Sequence, residues 1–149
     1  YNLLKLRNTM TLDILVLEDT DDDIFYMNRY LRDCNYELVK NSNSFRAAIK
    51  SGTRAKVYFL DDYVPEDGTR SAEPMFLVNY AFLMDTLTPE EQRDSIVLYS
   101  GSTAKPDVED FCRLNGIAMV KKTYVRDLAE QLKEPEQPIP LPAVPAFAY

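Results

Sequence analysis

The residues best equipped for chemistry stand at the ends of apolar runs. Ile14 to Leu17 gives way to Glu18 and Asp19, and Val57 to Leu60 gives way to Asp61 and Asp62. Ile96 to Tyr99 leads into Ser100 and Gly101, and Ile117 to Val120 into Lys121 and Lys122. Carboxylates drawn together repel, and without compensation at least one has its pKa raised. A divalent cation resolves that conflict. A small cluster of hard oxygen ligands suits Mg²⁺, which takes one or two carboxylates, keeps several waters and accepts phosphate oxygens. The lysine is then placed for an anion that joins the acids, and Mg²⁺, a carboxylate nucleophile, a lysine and a serine hydroxyl together suit phosphoryl transfer onto aspartate. The chain has no histidine, which excludes Ser-His-Asp and Cys-His nucleophiles, His-ligated zinc and a phosphohistidine of its own. Cys34 and Cys112 lack Cys-x-x-Cys spacing and are expected to be small buried hydrophobes of a reducing compartment.

These groups converge only if the runs are neighbouring strands. The runs are continuous rather than alternating, the pattern of strands buried on both faces of a parallel sheet, and Tyr36 to Val39 is a weaker fifth candidate. Helical spacing fills the intervals. Ile24, Met27 and Leu31 follow Asp21, Asp22 and Asp23, acids suited to a helix start and read as a solvated cap. Phe45, Ala48 and Ile49 follow Ser42 and Ser44 and stop at Gly52. Pro74 is expected to open an apolar helix running to about Leu87, and Pro106 to open one carrying Val108, Phe111 and Cys112 that ends at Asn115-Gly116. Val125, Leu128 and Leu132 mark a last amphipathic helix. Five strand-helix alternations predict a doubly wound α/β sheet, whose ligand crevice lies beyond the carboxyl ends of the strands. At that rim Asp62 reads as a residue that solvates its loop, and Lys121 as an exposed strand-end charge.

In this order the motifs resemble those of response-regulator receiver domains of two-component signalling. Ile14 to Asp19 is similar to the strand that ends in the acidic pair, and Leu60-Asp61-Asp62-Tyr63-Val64-Pro65-Glu66-Asp67-Gly68 is similar to the phosphoacceptor loop. The family's acceptor lies four residues before that proline, which selects Asp61. Val97 to Gly101 resembles the strand that ends in a hydroxyl and a small residue, and Lys122 takes the place of the invariant lysine. The resemblance covers about Leu12 to Leu132 and implies a (βα)5 three-layer sandwich of the flavodoxin-like kind, with a five-stranded parallel sheet in the order 2-1-3-4-5. It implies that Asp61 accepts a phosphoryl group from a phosphohistidine donor. Glu18, Asp19, Asp61 and the backbone carbonyl of Tyr63 would hold Mg²⁺; Ser100 and Lys122 would bind phosphoryl oxygens; Gly101 would leave the donor an open approach. Two positions differ from the family pattern: Thr123 follows the lysine where proline is usual, and Met119 occupies the aromatic switch position.

By the same resemblance the chain is expected to be a cytoplasmic, stand-alone phosphoprotein. Its partners would be a histidine kinase or a histidine phosphotransfer protein, with output by phosphorelay or by docking on a downstream protein. A length of 149 residues allows one domain and little more. Residues 1–10 read as an N-terminal extension in which Met10 is a candidate start, 11–133 as the receiver, and 134–149 as a disordered Pro-rich tail, with partner binding as the competing reading of that tail. A net charge of −7 opposes direct binding of nucleic acid or an anionic membrane. The longest apolar stretch, Met75 to Met84, falls well short of the roughly 20 residues needed to span a bilayer. Two rival readings exist. Asp19-Thr20-Asp21 has the Asp-x-Asp spacing of haloacid-dehalogenase-like phosphohydrolases, with Asp19 as nucleophile. Met119 and Thr123 favour a pseudo-receiver that binds without phosphorylation, against which stand the acidic pair, Asp61, Ser100 and Lys122.

Overall fold

A computed structural model describes residues 11–92, 105–121 and 127, and the backbone of 96–100. Its elements are β1 (Thr11–Leu17), α1 (Asp21–Tyr30), β2 (Tyr36–Val39), α2 (Ser42–Lys50), β3 (Arg54–Asp61), β4 (Tyr63–Pro65), β5 (Ala72–Pro74), α3 (Phe76–Thr86), β6 (Ile96–Ser100), α4 (Pro106–Leu114) and β7 (Ala118–Lys121). Five of the strands make one sheet in the order β2-β1-β3-β6-β7. All its pairings are parallel, so in chain order these strands run 2-1-3-4-5, as expected. The last expected helix, with Val125, Leu128 and Leu132, lies outside the described residues, as do the extension at 1–10 and the tail from 134.

Alternation along the pleated strands divides the core in two. Ile14, Val16, Val57, Phe59, Ala118 and Val120 turn to the face covered by Met27 and Leu31 of the α1 region. Leu15, Leu17, Tyr58, Leu60 and Met119 turn to the other face, covered by Phe45 and Ile49 of α2, Phe76 and Leu83 of α3, and Val108 and Cys112 of α4. Every side chain from Ile14 to Leu17 has no exposed surface. Full burial of a large aliphatic side chain stabilises by about 1.5–3 kcal/mol, so these continuous runs provide much of the drive for sheet formation.

The helix boundaries follow local chemistry. Asn41 caps α2 by accepting the Ser44 N–H at 2.8 Å. After α2 and α4 the chain turns through Gly52 (φ 104°) and Gly116 (φ 66°), a left-handed backbone that glycine adopts without steric cost. Pro106 occupies the first turn of α4, where its missing N–H leaves no intrahelical bond unmade.

Pro74 departs from expectation. It does not open α3, which starts at Phe76; it belongs to β5, antiparallel to β4 in a short hairpin inserted after β3, and pairs with Tyr63. Met75 N–H donates to the Asp62 carbonyl at 2.7 Å. The flanking Tyr63–Pro74 pair is therefore of the non-hydrogen-bonded kind, with the backbone N–H and C=O positions pointing out of the ladder. A proline there loses no ladder bond, so tertiary pairing overrides the helix-start preference.

Candidate functional site

Glu18 extends β1 by one ladder bond, its N–H donating to the Val39 carbonyl at 3.0 Å. Its side chain is completely buried, and Oε2 accepts the N–H groups of Asp19 and Thr20, each at 3.1 Å. Those bonds hold the turn that presents Asp19. On the neighbouring strand the register pairs Leu17 with Leu60, so Asp61 lies beside Glu18 at the same edge of the sheet. The result is a cluster in which one carboxylate oxygen from each of Glu18, Asp19 and Asp61 lies within 4.8 Å of the others. At an effective dielectric near 20, two full charges at this separation repel by roughly 3–4 kcal/mol before screening by solvent and salt. Three hard anionic oxygens in this arrangement fit a small divalent cation.

Asp62 does not solvate its loop. It is 3% exposed, and neither carboxylate oxygen has a hydrogen-bond partner of normal geometry among the described residues. Burial pushes its carboxyl above the usual range; the Phe76 N–H and the Lys105 ammonium pull the other way, and Asp107 reinforces the rise. The physical reason is parity: Asp62 has the alternation of Tyr58 and Leu60, which point into the core under α2, α3 and α4. Asp61, of opposite parity, joins the carboxylate cluster instead. Asp62 also faces Cys112, whose thiol is pushed up to about 12, first by burial and then by the charges of Asp62 and Glu109.

Tyr63 follows and is 43% exposed. Its pairing type directs its carbonyl out of the hairpin ladder. The ammonium of Lys105, the residue before α4, lies 5.4 Å from the centroid of the Tyr63 ring. A hydrogen bond with the Tyr63 side chain raises the Lys105 pKa. Lys105 was not legible in the sequence as a member of this neighbourhood, because only the fold brings it against the hairpin.

The remaining expected residues are placed in part. Ser100 ends β6 and pairs with Lys121 on β7, which puts its backbone at the carboxyl edge of the sheet. Its side chain, Gly101 and Lys122 lie outside the described residues. Lys121 is exposed, as expected. Met119 has no exposed surface and packs in the cluster that holds Leu60, Val108 and Cys112. Asp21 and Asp22 are exposed in the first turn of α1, where acids favour the helix N-terminus, and take no part in the carboxylate cluster; the cap position itself is Thr20, which makes no side-chain cap bond. No described helix is long and apolar enough to cross a membrane.

No protein-family model matches the chain, and comparison with curated proteins gives no significant match. Solved structures do match. The non-phosphorylated receiver domain of the stress response regulator RcsB from Escherichia coli has a TM-score of 0.54 at 12% identity, covering 85% of this chain and 96% of that one. Two structures of the Salmonella typhimurium RcsB response regulator carrying a serine-to-cysteine substitution, described for conformational dynamism for DNA interaction, match with TM-scores of 0.52 and 0.54 at 13% identity. They cover 88% and 87% of this chain, which spans 64% and 62% of theirs. At such identities the likeness is one of fold, and the fold is that of response-regulator receiver domains.

Proposed function

We propose that this chain is a receiver that takes a phosphoryl group from a phosphohistidine donor onto Asp61 in a Mg²⁺-dependent reaction. The observation that carries the reading is the convergence of Glu18, Asp19 and Asp61 within 4.8 Å at the carboxyl ends of β1 and β3. Both aspartates are largely buried, Asp61 at 8% and Asp62 at 3% exposure; what supports Asp61 as the acceptor is that its carboxylate joins Glu18 and Asp19, whereas the Asp62 oxygens turn into the core. An Asp61 carboxylate oxygen bonds to phosphorus as the phosphorus–nitrogen bond of the donor breaks, and the imidazole leaves on the partner protein. Glu18, Asp19, Asp61 and the Tyr63 carbonyl would hold the cation. When bound, Mg²⁺ supplies positive charge that offsets the carboxylates and the phosphoryl oxygens and aligns the group for in-line transfer. Ser100 and Lys122 bind phosphoryl oxygens of the product, and Gly101 leaves the donor room.

Output follows from the same residues. Ser100, drawn toward the phosphoryl group, changes the packing at Met119, so α4 and β7 respond. Methionine is flexible, and the two states are therefore separated by a fractional shift of population. The protein works in the cytoplasm with a histidine kinase or a phosphotransfer protein, and passes its signal by docking or by relay. The hydrolase reading is not favoured, because Asp21 stands exposed on α1 rather than beside Asp19 in the cluster.

Intact-mass measurement after incubation with Mg²⁺ and a small phosphodonor tests the proposal. One retained phosphoryl group is expected on the wild type and on Asp62→Asn, and none on Asp61→Asn. Equal loss in both variants would refute the assignment. Donor turnover abolished by Asp19→Asn but not by Asp61→Asn would establish the hydrolase instead.

A further inference from the structure

A chain of polar side chains runs between α2 and α3. Ser42 and Asn79 are wholly buried, and Asn79 Nδ2 donates to Ser42 Oγ at 3.0 Å. Asn79 Oδ1 accepts from Arg46 Nη1 at 3.2 Å. Arg46 Nη2 donates to Asn43 Oδ1 at 2.8 Å and forms an ion pair with the Glu66 carboxylate. Asn43 N–H donates to the Glu66 carbonyl at 2.9 Å, so Glu66 is held through backbone and side chain together. The Arg46 side chain is only 18% exposed. Buried polar networks rigidify a structure when their members are satisfied and cost stability when they are not. Here Ser42, Asn79, Asn43 and Arg46 are bonded to one another or to Glu66 Oε1, while Glu66 Oε2 has no hydrogen-bond partner among the described residues, so the network depends on the single contact of Oε1 with Arg46.

What it holds is the hairpin that follows Asp61. Paired strands of three residues do not support themselves, and the hairpin turn, closed by Thr69 on the Asp67 carboxylate, is exposed. At its base the hairpin is fastened by the Asp62–Met75 bond and by Val64, which is buried in the core. Its far attachment is Glu66, for which Arg46 is the one ion-pair partner among the described residues. Tyr63 lies within the first of these, between Asp62 and Val64, three residues before Glu66.

We propose that Arg46 is a positioning residue for the cation site: by gripping Glu66 against α2 and α3 it sets the path of residues 62–66 and with it the aim of the Tyr63 carbonyl, the neutral ligand of the set. The proposal rests on the reading of Glu18, Asp19 and Asp61 given above. Arg46 touches neither the cation nor the phosphoryl group. A guanidinium is required because its planar fork meets Asn79, Asn43 and Glu66 at once, which a single ammonium on a flexible stem does not.

The test uses the full chain as wild type, Arg46→Lys, Arg46→Ala and Glu66→Gln, with three readouts. Hydrogen exchange without metal should show residues 62–75 losing protection in Arg46→Ala, while 14–17 and 57–60 keep theirs. Calorimetric titration with Mg²⁺ should show affinity weakened roughly tenfold in Arg46→Ala, the scale on which outer-shell partners act, and partly restored in Arg46→Lys. Phosphorylation should need more Mg²⁺ for half-saturation yet keep most of its rate once saturated. Arg46→Ala combined with Glu66→Gln should do no more than either alone, because both act through one contact. A purely structural role would lower unfolding stability and leave Mg²⁺ affinity of the folded protein unchanged, which overturns the proposal. If Arg46→Ala does not fold, unchanged affinity in Arg46→Lys and Glu66→Gln overturns it equally. Mg²⁺ binding that is indifferent to Arg46 sinks this inference alone; absence of Mg²⁺ binding by the wild type sinks the reading of the site on which it rests.

Discussion

Replacing Asp19 by Asn should reverse its effect on stability according to whether Mg²⁺ is present. Asparagine keeps the shape and one acceptor oxygen and removes a charge. In the metal-free protein Asp19 lies within 4.8 Å of both Glu18 and Asp61. The substitution relieves two repulsions of roughly 3–4 kcal/mol each before screening at an effective dielectric near 20, and the partial exposure of Asp19 with screening by salt leaves a net gain on the order of 1 kcal/mol. With Mg²⁺ at a hundred times its dissociation constant, the wild type gains about 2.7 kcal/mol by linkage. If loss of one anionic ligand weakens the site a hundredfold, the variant gains only about 0.4 kcal/mol from the same concentration. The order of stabilities therefore inverts, with the variant ahead in chelator and the wild type ahead in metal by about 1 kcal/mol. Urea unfolding followed by circular dichroism, with EDTA or Mg²⁺ at matched ionic strength, reads both halves. An Asp19→Asn protein that is less stable in EDTA, or that gains as much from Mg²⁺ as the wild type, would refute the argument that these carboxylates form a strained anionic cluster relieved by a cation.

Two further outcomes follow from other parts of the fold. Burial pushes the Glu91 carboxyl up, but its bonds from Thr88 N–H and Arg54 Nε, both 2.9 Å, hold it below the usual range. A depressed folded pKa contributes stability that is present above the unfolded value of 4.5 and lost as pH falls through the folded one. Glu91→Gln should thus cost about 1 kcal/mol at neutral pH and close on the wild type in acid, and a gap that does not change between pH 7 and acid would count against this account. Cys112 is buried with its thiol pushed up to about 12, whereas Cys34 is half-buried. Iodoacetamide at mildly alkaline pH should modify Cys34 well before Cys112 in the folded chain and both in urea; equal native rates would show that α4 does not seal Cys112.

The sheet was legible because its strands carry a local signal. Runs such as Ile14–Leu17 and Val57–Leu60 are buried on both faces, so continuous hydrophobicity marks them without knowledge of their neighbours. The helix ends at Gly52 and Gly116 were legible for the same reason, since a left-handed turn selects its own residue. Glu18, Asp19 and Asp61 were accessible at one remove: once the runs are parallel strands, the polar residues at their carboxyl ends share a rim.

Other features depended on the fold. In a strand covered on both faces, alternation shows that Asp61 and Asp62 point apart but not which of them joins Glu18 and Asp19; the packing of α2, α3 and α4 over Tyr58 and Leu60 decides that, and turns Asp62 inward. The hairpin of β4 and β5 has strands of three residues, too short for a periodic pattern, and its pairing turned Pro74 from a helix start into an edge residue. Arg46 meets Asn79 across 33 positions and Glu66 across 20, and Lys105 reaches the Tyr63 ring from another strand's loop. Hydrophobic periodicity and capping chemistry act over a few residues and are written into the chain as local pattern. The partners of a buried charge or a short strand are set by which surfaces the whole core brings together, and only the folded structure holds that information.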